Sequence, residues 1–375
     1  MKYRLIHFFS RLSNRLRQGK DQKKEWNRFA DFSLELPEIK EVKPNTSLIV
    51  RLDDIGDFVL FAPVLANWIQ IQTNEVFLLG NIAWKSYFEA LIPQDKIQCI
   101  WLDKKEWFGS KEYRISIINS LEKIAPEQVI YASYTRVLLL DAILKKCLKA
   151  AQHFAWEAKP GPYSHELNAG YQFLKKPIIG QHETLNNLSF FNELQEVSIS
   201  PNFKLDFPII QQPVQEKYFI ICPGGNQKSK QWPARNFAEI ANKTMSLHPD
   251  LVCVLVGGPS DESFSNEIIK GIKTGRCLNL CGKTSLLELA AVCKQADFAF
   301  SNDTSAAHLC ALQNTPVFVV LNGNRYQRFF PYPASFSQVF TVYPKLDEMK
   351  YDWEEKMPIT AVSVSELWEK FLKRA

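Results

Sequence analysis

The strongest constraint on the fold is a recurring unit. A short, β-branched apolar segment ends in an aspartate- or glycine-bearing turn and runs into a helix-length stretch. SLIVRL (47–52) leads through DDIGD to FVLFAPVLANWIQ, and EVFLLG (75–80) leads to AWKSYFEALI. QCIWLD (98–103) precedes RISIINSLEKI, and QVIYAS (128–133) precedes TRVLLLDAILKKC. Strands this apolar are buried on both faces, so the alternation predicts a mostly parallel sheet layered between helices.

HELNAGYQFLKK (165–176) reads as one more helix, and 178–215, with its Asn- and Pro-bearing stretches, as an irregular linker. The pattern then restarts. YFIICPGG (218–225) is a strand into a glycine loop, followed by the helix ARNFAEIANKTMSLHP. LVCVLVGG (251–258), CLNLCG (277–282), ADFAFS and PVFVVLNG (316–323) are further strands, with DESFSNEIIKGI, SLLELAAVCKQA and SAAHLCALQ as helices between them. This gives an α/β chain of two doubly wound halves. The expected boundaries are an extension at 1–43, a first domain with its linker at 44–210, a second domain at 211–345, and a helical tail at 346–375 that packs back on the first domain. In open α/β sheets ligands sit outside the carboxyl ends of the strands, so the cleft between the halves is where chemistry is expected.

Composition narrows the function classes. With 375 residues, 46% hydrophobic and 23% charged, the chain can bury two substantial cores. No apolar run is long enough to span a bilayer, and LIHFF is too short for a secretory signal; a cytoplasmic protein is expected. The eight cysteines form no CxxC pair and the six histidines no ligand cluster, which points to buried reduced thiols and no metal site. Residues 1–30 carry nine Lys/Arg against two acidic residues, with Leu5, Phe8, Phe9, Leu12 and Leu16 at helical spacing. Such a helix lies on an anionic membrane surface or packs on protein. No basic and aromatic interleaving continues beyond it, which argues against nucleic acid.

The polar residues at strand ends fall into four groups. In RLDDIGD, Gly56 permits a close backbone approach, and Asp57 stands at a helix start, as a cap or as a general base. Helix amides there are expected to lower its pKa and make it a modest base. In CPGGNQKSKQWP (222–233), Gly224 and Gly225 can offer amides while Lys228 and Lys230 bring positive charge, a cradle for a diphosphate without P-loop spacing. VGGPSDES (256–263), with Gly258, repeats the design, suited to a nucleotide's base or ribose. In SNDTSAAH (301–308), Asp303, Thr304 or Ser305 caps a helix whose free amides favour an anion. His308 shares a face with Thr304, as a hydrogen-bond donor to ligand or as a satisfied core histidine. Arg325 and Arg328 follow the last strand, to meet an anion or to form a solvated edge.

Taken together, SLIVRLDDIGDFVLFAPVL, PGGNQKSKQWPARNFAEIA, VLVGGPSDE, the stretch NLCGKTSLLELAAVCKQADFAFSNDTSAAHLCALQNTPVFVVLNG and the final Pro of RFFP resemble the bacterial ADP-heptose:lipopolysaccharide heptosyltransferase family. The resemblance covers most of 46–335. It implies a GT-B fold of two Rossmann-like domains facing across a cleft, the first taking the acceptor and the second the nucleotide-sugar. It further implies inverting, metal-independent transfer of heptose from ADP-heptose to a lipid-linked inner-core oligosaccharide, with no cofactor. Asp57 matches the family's base, and Lys230 matches the lysine on the donor phosphates. Asp303, Thr304 and His308 match the donor motif, and a donor-site threonine falls near Gly225 or Asn226. Ser305 stands where the family commonly has glycine. The alternatives are another nucleotide-sugar or a protein acceptor, a nucleotide-sugar 2-epimerase, or a noncatalytic glycolipid-binding scaffold.

Overall fold

The structure is a computed structural model that describes residues 36–375, apart from 135, 137, 159–163, 197–198, 200–206, 209, 212, 226, 337, 345–356 and 375. The basic arm 1–30 and Asn226 therefore lie outside the described residues.

Two six-stranded parallel sheets form. The first contains β1 (Lys43–Arg51), β2 (Glu75–Asn81), β3 (Gln98–Leu102), β4 (Pro126–Tyr131), β5 (Gln152–Trp156) and β6 (Phe173–Lys175), in the order β3-β2-β1-β4-β5-β6. The second contains β7 (Tyr218–Cys222), β8 (Val252–Leu255), β9 (Cys277–Asn279), β10 (Ala299–Ser301), β11 (Val317–Val320) and β12 (Val339–Val342), in the order β12-β11-β10-β7-β8-β9. Read from β9, the second sheet repeats the first, so each half has one point where the strand order reverses: between β1 and β4, and between β7 and β10. These are the positions at which a doubly wound sheet opens a crevice.

The helices used below are α1 (Ile55–Gln70), α2 (Lys85–Leu91), α3 (Lys111–Ile124), α4 (Leu138–Cys147) and α5 (Glu183–Gln195) in the first half. In the second half they are α6 (Ala234–Leu247), α7 (Glu262–Lys270), α8 (Leu286–Gln295), α9 (Ser305–Leu312) and α10 (Val364–Leu372). α1 is buried almost all round, from Phe58 to Ile69, because it packs between its own sheet, α5 and α9. One apolar core runs through it: Phe61 and Trp68 meet Phe191 of α5, and the same cluster continues through Ala306 and Leu309 of α9 to β7 and β10. The halves are thus joined by packed side chains as well as by the chain between them.

Three sequence expectations change. The helix expected over 165–176 is only Ser164–Asn168, because Gly170 turns the chain at φ +65°; Phe173–Lys175 instead pairs in parallel with β5 as the edge strand β6. The linker 178–215 contains α5, capped by the His182 imidazole accepting from the Thr184 amide at 3.3 Å. The described residues of the tail do not pack on the first domain. α10 lies on the second sheet, where Phe371 meets Phe298, Phe300 and Phe318 at 4.8–5.4 Å, and the Trp232 indole donates to the Val362 carbonyl at 2.8 Å. Strands β5 and β12 are additions that no segment above anticipated. At the other end of the chain, Leu36 and Ile39 are buried in the first sheet's core, so the close of the extension belongs to that domain.

Gly80 of β2 is a steric requirement of this packing. A Cβ there would sit 2.6 Å from Trp84 Cη2 and 2.8 Å from Trp101 Cζ3, and Trp84 is itself stacked on Phe58 with centroids 3.9 Å apart. Rings held on both sides cannot yield cheaply. Gly80→Ala is expected to destabilise the protein by about 1–3 kcal/mol, read as a lower midpoint in thermal or urea unfolding.

Candidate active site

Both strand-order reversals open on one cavity of about 620 Å³. Asp57, Gly225, Lys230, Gly258, Asp303, Thr304, Ser305 and His308 all line it. Asn226 is outside the described residues. Lys228, grouped with Lys230 by sequence, is exposed and away from the cavity lining. A larger groove of about 820 Å³ on the outer face of α6 and α10, with Arg235, Lys243 and Trp368, lies at no strand's carboxyl end.

The first wall is the β1–α1 loop, organised by Arg51. This arginine closes an otherwise apolar strand and is wholly buried. Its Nε meets the Asp53 carboxylate at 2.8 Å, and its two terminal nitrogens donate to the Ala132 carbonyl (2.7 Å), the Asn187 amide oxygen (3.2 Å) and the Asp57 carbonyl (3.1 Å). The Asp53 carbonyl in turn accepts from Asn81 at 2.9 Å and from the Trp84 indole at 3.3 Å. Asp54 points outward to Lys104 at 3.2 Å. Of the three aspartates, two are engaged by basic partners, and Asp57 keeps its carboxylate at the cavity.

The Asp57 carboxyl is pushed up to about 7. Burial is the main cause; Asp53 and Glu183 add to it, and Arg51 and Arg328 pull it back. This reverses the sequence expectation of a lowered value: the cavity wall and two neighbouring carboxylates outweigh the helix amides.

Arg328 closes the same cluster from the second half. It is buried, meets Glu183 at 3.0 Å, and lies over the Tyr134 ring at 4.1 Å. Glu183 also donates its amide to the Arg328 carbonyl at 2.7 Å. The two arginines named by sequence after the last strand therefore separate: Arg325 lines the cavity, while Arg328 ties α5 to the second half.

The opposite wall is built from the loops after β7, β8 and β10. Asn302 knits two of them, accepting from the Trp232 amide at 3.2 Å and donating to the carbonyls of Pro223 (2.7 Å) and Gly224 (3.3 Å). Lys230 and Asp303 then pair at 2.5 Å. Burial alone would push the Asp303 carboxyl up, but the Lys230 ammonium outweighs it and holds the group below its usual range. Thr304 is the cap of α9, accepting from the Ala307 amide at 3.3 Å. Ser305 opens the helix at the cavity. His308 is buried against Phe330 with Nδ1 2.7 Å from the Tyr332 hydroxyl, and burial pushes its imidazole down to about 4.

The glycines acquire separate explanations. A Cβ at Gly224 or Gly257 would fall 2.5 or 2.7 Å from Asp261 Oδ2, so the protein's own carboxylate takes that space; Asp261 also accepts from the Gly258 amide at 2.9 Å. At Gly225 a Cβ would meet only ordinary contacts, at 3.5 Å and beyond, which leaves its openness for a ligand.

Residues 135–357, more than half of the chain, match glycosyltransferase family 9 (heptosyltransferase). The chain belongs to this family. It is 28% identical over 131 residues to the lipopolysaccharide core heptosyltransferase OpsX of Haemophilus influenzae, covering 34% of this chain and 36% of OpsX. It is 25% identical over 282 residues to lipooligosaccharide heptosyltransferase 2 of Campylobacter jejuni serotype O:2, covering 74% of this chain and 81% of that one. The match thus spans about a third of the first relative's length and about four fifths of the second's. Among solved structures, E. coli heptosyltransferase WaaC with ADP superposes with a TM-score of 0.68 over 88% of this chain and 100% of that chain, at 15% identity. The shared architecture is GT-B.

Within this family member, sequence reading missed Arg51, Glu183, Asn302 and Tyr332. A signal existed for Arg51, a full charge ending a strand otherwise buried on both faces. Glu183 was hidden by the linker reading of its segment. Arg51→Met is expected to lower stability by about 3–5 kcal/mol, because it leaves the Asp53 carboxylate buried and unpaired. Urea unfolding of the variant beside the native chain checks this; an unchanged midpoint would contradict the organising role.

Proposed function

We propose that the protein is an inverting glycosyltransferase that moves heptose from ADP-heptose to a hydroxyl of a lipopolysaccharide inner-core acceptor, with Asp57 as the general base. The observation that carries this is the placement of Asp57, the aspartate of its loop that no ion pair engages among the described residues, on one wall of the cavity and a Lys–Asp pair beside a helix N-terminus on the other. Family membership and the likeness to heptosyltransferases support the choice of donor and acceptor.

In this reading the donor's diphosphate lies against Lys230 and the first-turn amides of α9, where a developing negative charge is stabilised without proton transfer. Lys230 leaves or shares its contact with Asp303 when phosphate arrives, and Asp303 keeps the ammonium aimed into the cavity until then. Asp261, in the turn that follows β8, is placed to accept from ribose hydroxyls. The acceptor hydroxyl approaches from the first half, loses its proton to Asp57, and attacks the anomeric carbon from the face opposite the diphosphate. The transition state has oxocarbenium character. These groups supply the charges the reaction needs, so the reading calls for neither a metal ion nor a cofactor. A glycolipid acceptor would place the enzyme peripherally at the cytoplasmic face of the inner membrane, with the basic arm 1–30 as its attachment.

Asp57→Asn is expected to lower kcat by a factor of about 10² to 10⁴ while ADP binding is retained. The base acts as the carboxylate, so kcat/KM of the native enzyme rises with pH up to about 7, the Asp57 value, and levels above it. Product formation followed by mass spectrometry across pH measures both; normal turnover in the Asn variant would remove the assignment.

Lys230→Ala should weaken ADP binding by about ten- to a hundredfold, since it deletes a charged contact and exposes the phosphates to an uncompensated Asp303. Calorimetry with ADP tests this, and equal affinity would take Lys230 off the phosphates.

A further inference from the structure

Tyr332 and His308 meet in the wall of the cavity, with the phenol oxygen 2.7 Å from His308 Nδ1. Both side chains are buried. His308 lies flat against Phe330, at 4.9 Å and 12° between planes. Tyr332 is wedged between His182 at 4.4 Å and Phe336 at 4.9 Å. Neither ring is free to turn away.

Burial holds the Tyr332 phenol well above its ordinary range and the His308 imidazole down at about 4, so at neutral pH the phenol keeps its proton and the imidazole is neutral. A neutral imidazole has one N–H and one lone pair, and the hydrogen bond at one nitrogen decides the state of the other. If Nδ1 carried the proton, it would donate to the phenol oxygen. The phenol's own proton would then have no hydrogen-bond acceptor among the described residues, a costly state for a buried hydroxyl. If the phenol donates instead, Nδ1 accepts and the imidazole proton resides on Nε2. Among the described residues Nε2 has no hydrogen-bond partner, and its ring lines the cavity. Only this second arrangement satisfies the phenol.

We propose that Tyr332 is a positioning residue: by donating to Nδ1 it fixes His308 as the Nε2–H tautomer and so turns an N–H donor toward the oxygens of a ligand in the cavity. This rests on the reading that the cavity takes a nucleotide diphosphate donor. The opposite tautomer would set a nitrogen lone pair against the unprotonated phosphate oxygens and repel them. The arrangement also gives the cavity a donor that is neutral, so the positive charge acting on Asp303 comes from Lys230 and Arg325.

The test is the tautomer itself. In enzyme labelled with ¹⁵N-histidine, the His308 signals are assigned by their loss in His308→Gln. Long-range ¹H–¹⁵N spectra are expected to show a pyrrole-type Nε2 and a pyridine-type Nδ1 in the native chain. Tyr332→Phe keeps the ring and its wedge but removes the hydroxyl. It should shift His308 toward a tautomer mixture and weaken ADP binding roughly fivefold, the worth of one hydrogen bond. A native spectrum with the proton on Nδ1, or an unchanged His308 pattern in Tyr332→Phe, overturns the proposal. A shifted tautomer with unchanged ADP affinity overturns its link to the donor. Failure of the native enzyme to bind ADP would instead defeat the donor-site reading, and the spectra would still decide the Tyr332–His308 lock.

Discussion

The site depends first on how closely α1 of one half crosses α9 of the other. At Gly56 a Cβ would already be 3.4 Å from His308 Cδ2 and 3.7 Å from Ser305 Cα. A lone Cβ there makes ordinary van der Waals contact, so alanine fits, and a larger side chain would press on the two helix starts that carry Asp57 and Ser305. The approach is held by the apolar core that continues through α1 into α9. Separate Rossmann-like halves usually meet through modest, polar surfaces and move freely. Here the helix bearing the carboxylate is itself part of the joint, so the distance between the proposed base and the donor loops is set by packing.

The charges follow from that geometry. Five ionisable groups converge where the halves meet: Arg51, Asp53, Asp57, Glu183 and Arg328. Each arginine is matched to one carboxylate, Arg51 to Asp53 and Arg328 to Glu183, and Asp57 is the remaining acid. A carboxyl buried in such a cluster without a basic partner of its own holds its proton more readily than a free one, which is why its pKa rises to about 7 instead of falling as a helix start would suggest. Across the cavity the balance is reversed. Asp303 is paired so closely with Lys230 that it stays ionised and offers no basicity of use. Two aspartates, each near the start of a helix, are thus driven in opposite directions by their partners.

Much of this architecture was legible in the sequence because its signals are local. Strand ends rich in Gly and Asp mark both reversals of strand order, and SLIVRLDDIGD and SNDTSAAH carry Asp57, Asp303, Thr304 and His308 to a common cavity as read. What was not legible depends on contacts far apart in the chain. FLK at 173–175 is too short to announce a strand, and becomes one only because β5 offers an edge. α5 has weak amphipathicity because several of its polar residues are buried: Glu183 and Asn187 point inward to Arg328 and Arg51, and Asn186 to the turn that precedes the helix. The glycines at 224 and 257 looked like room for a nucleotide, and are needed by Asp261 instead.

The residues that set the reaction and those that set the sugar are therefore held by different means. Asp57 is fixed by the Arg51 hydrogen bond to its own carbonyl and by the α1–α9 core, neither of which depends on the ligand's identity. Lys230 and Asp303 hold each other. Ser305 opens α9 at the cavity, and its hydroxyl stands where the resemblance leads one to expect glycine. A change at 305 alters the shape and hydrogen bonding offered to the donor without disturbing the pairings that position Asp57 or Lys230. Divergence in donor preference is thus cheapest at the helix start, while divergence in the base would require breaking the joint between the two halves.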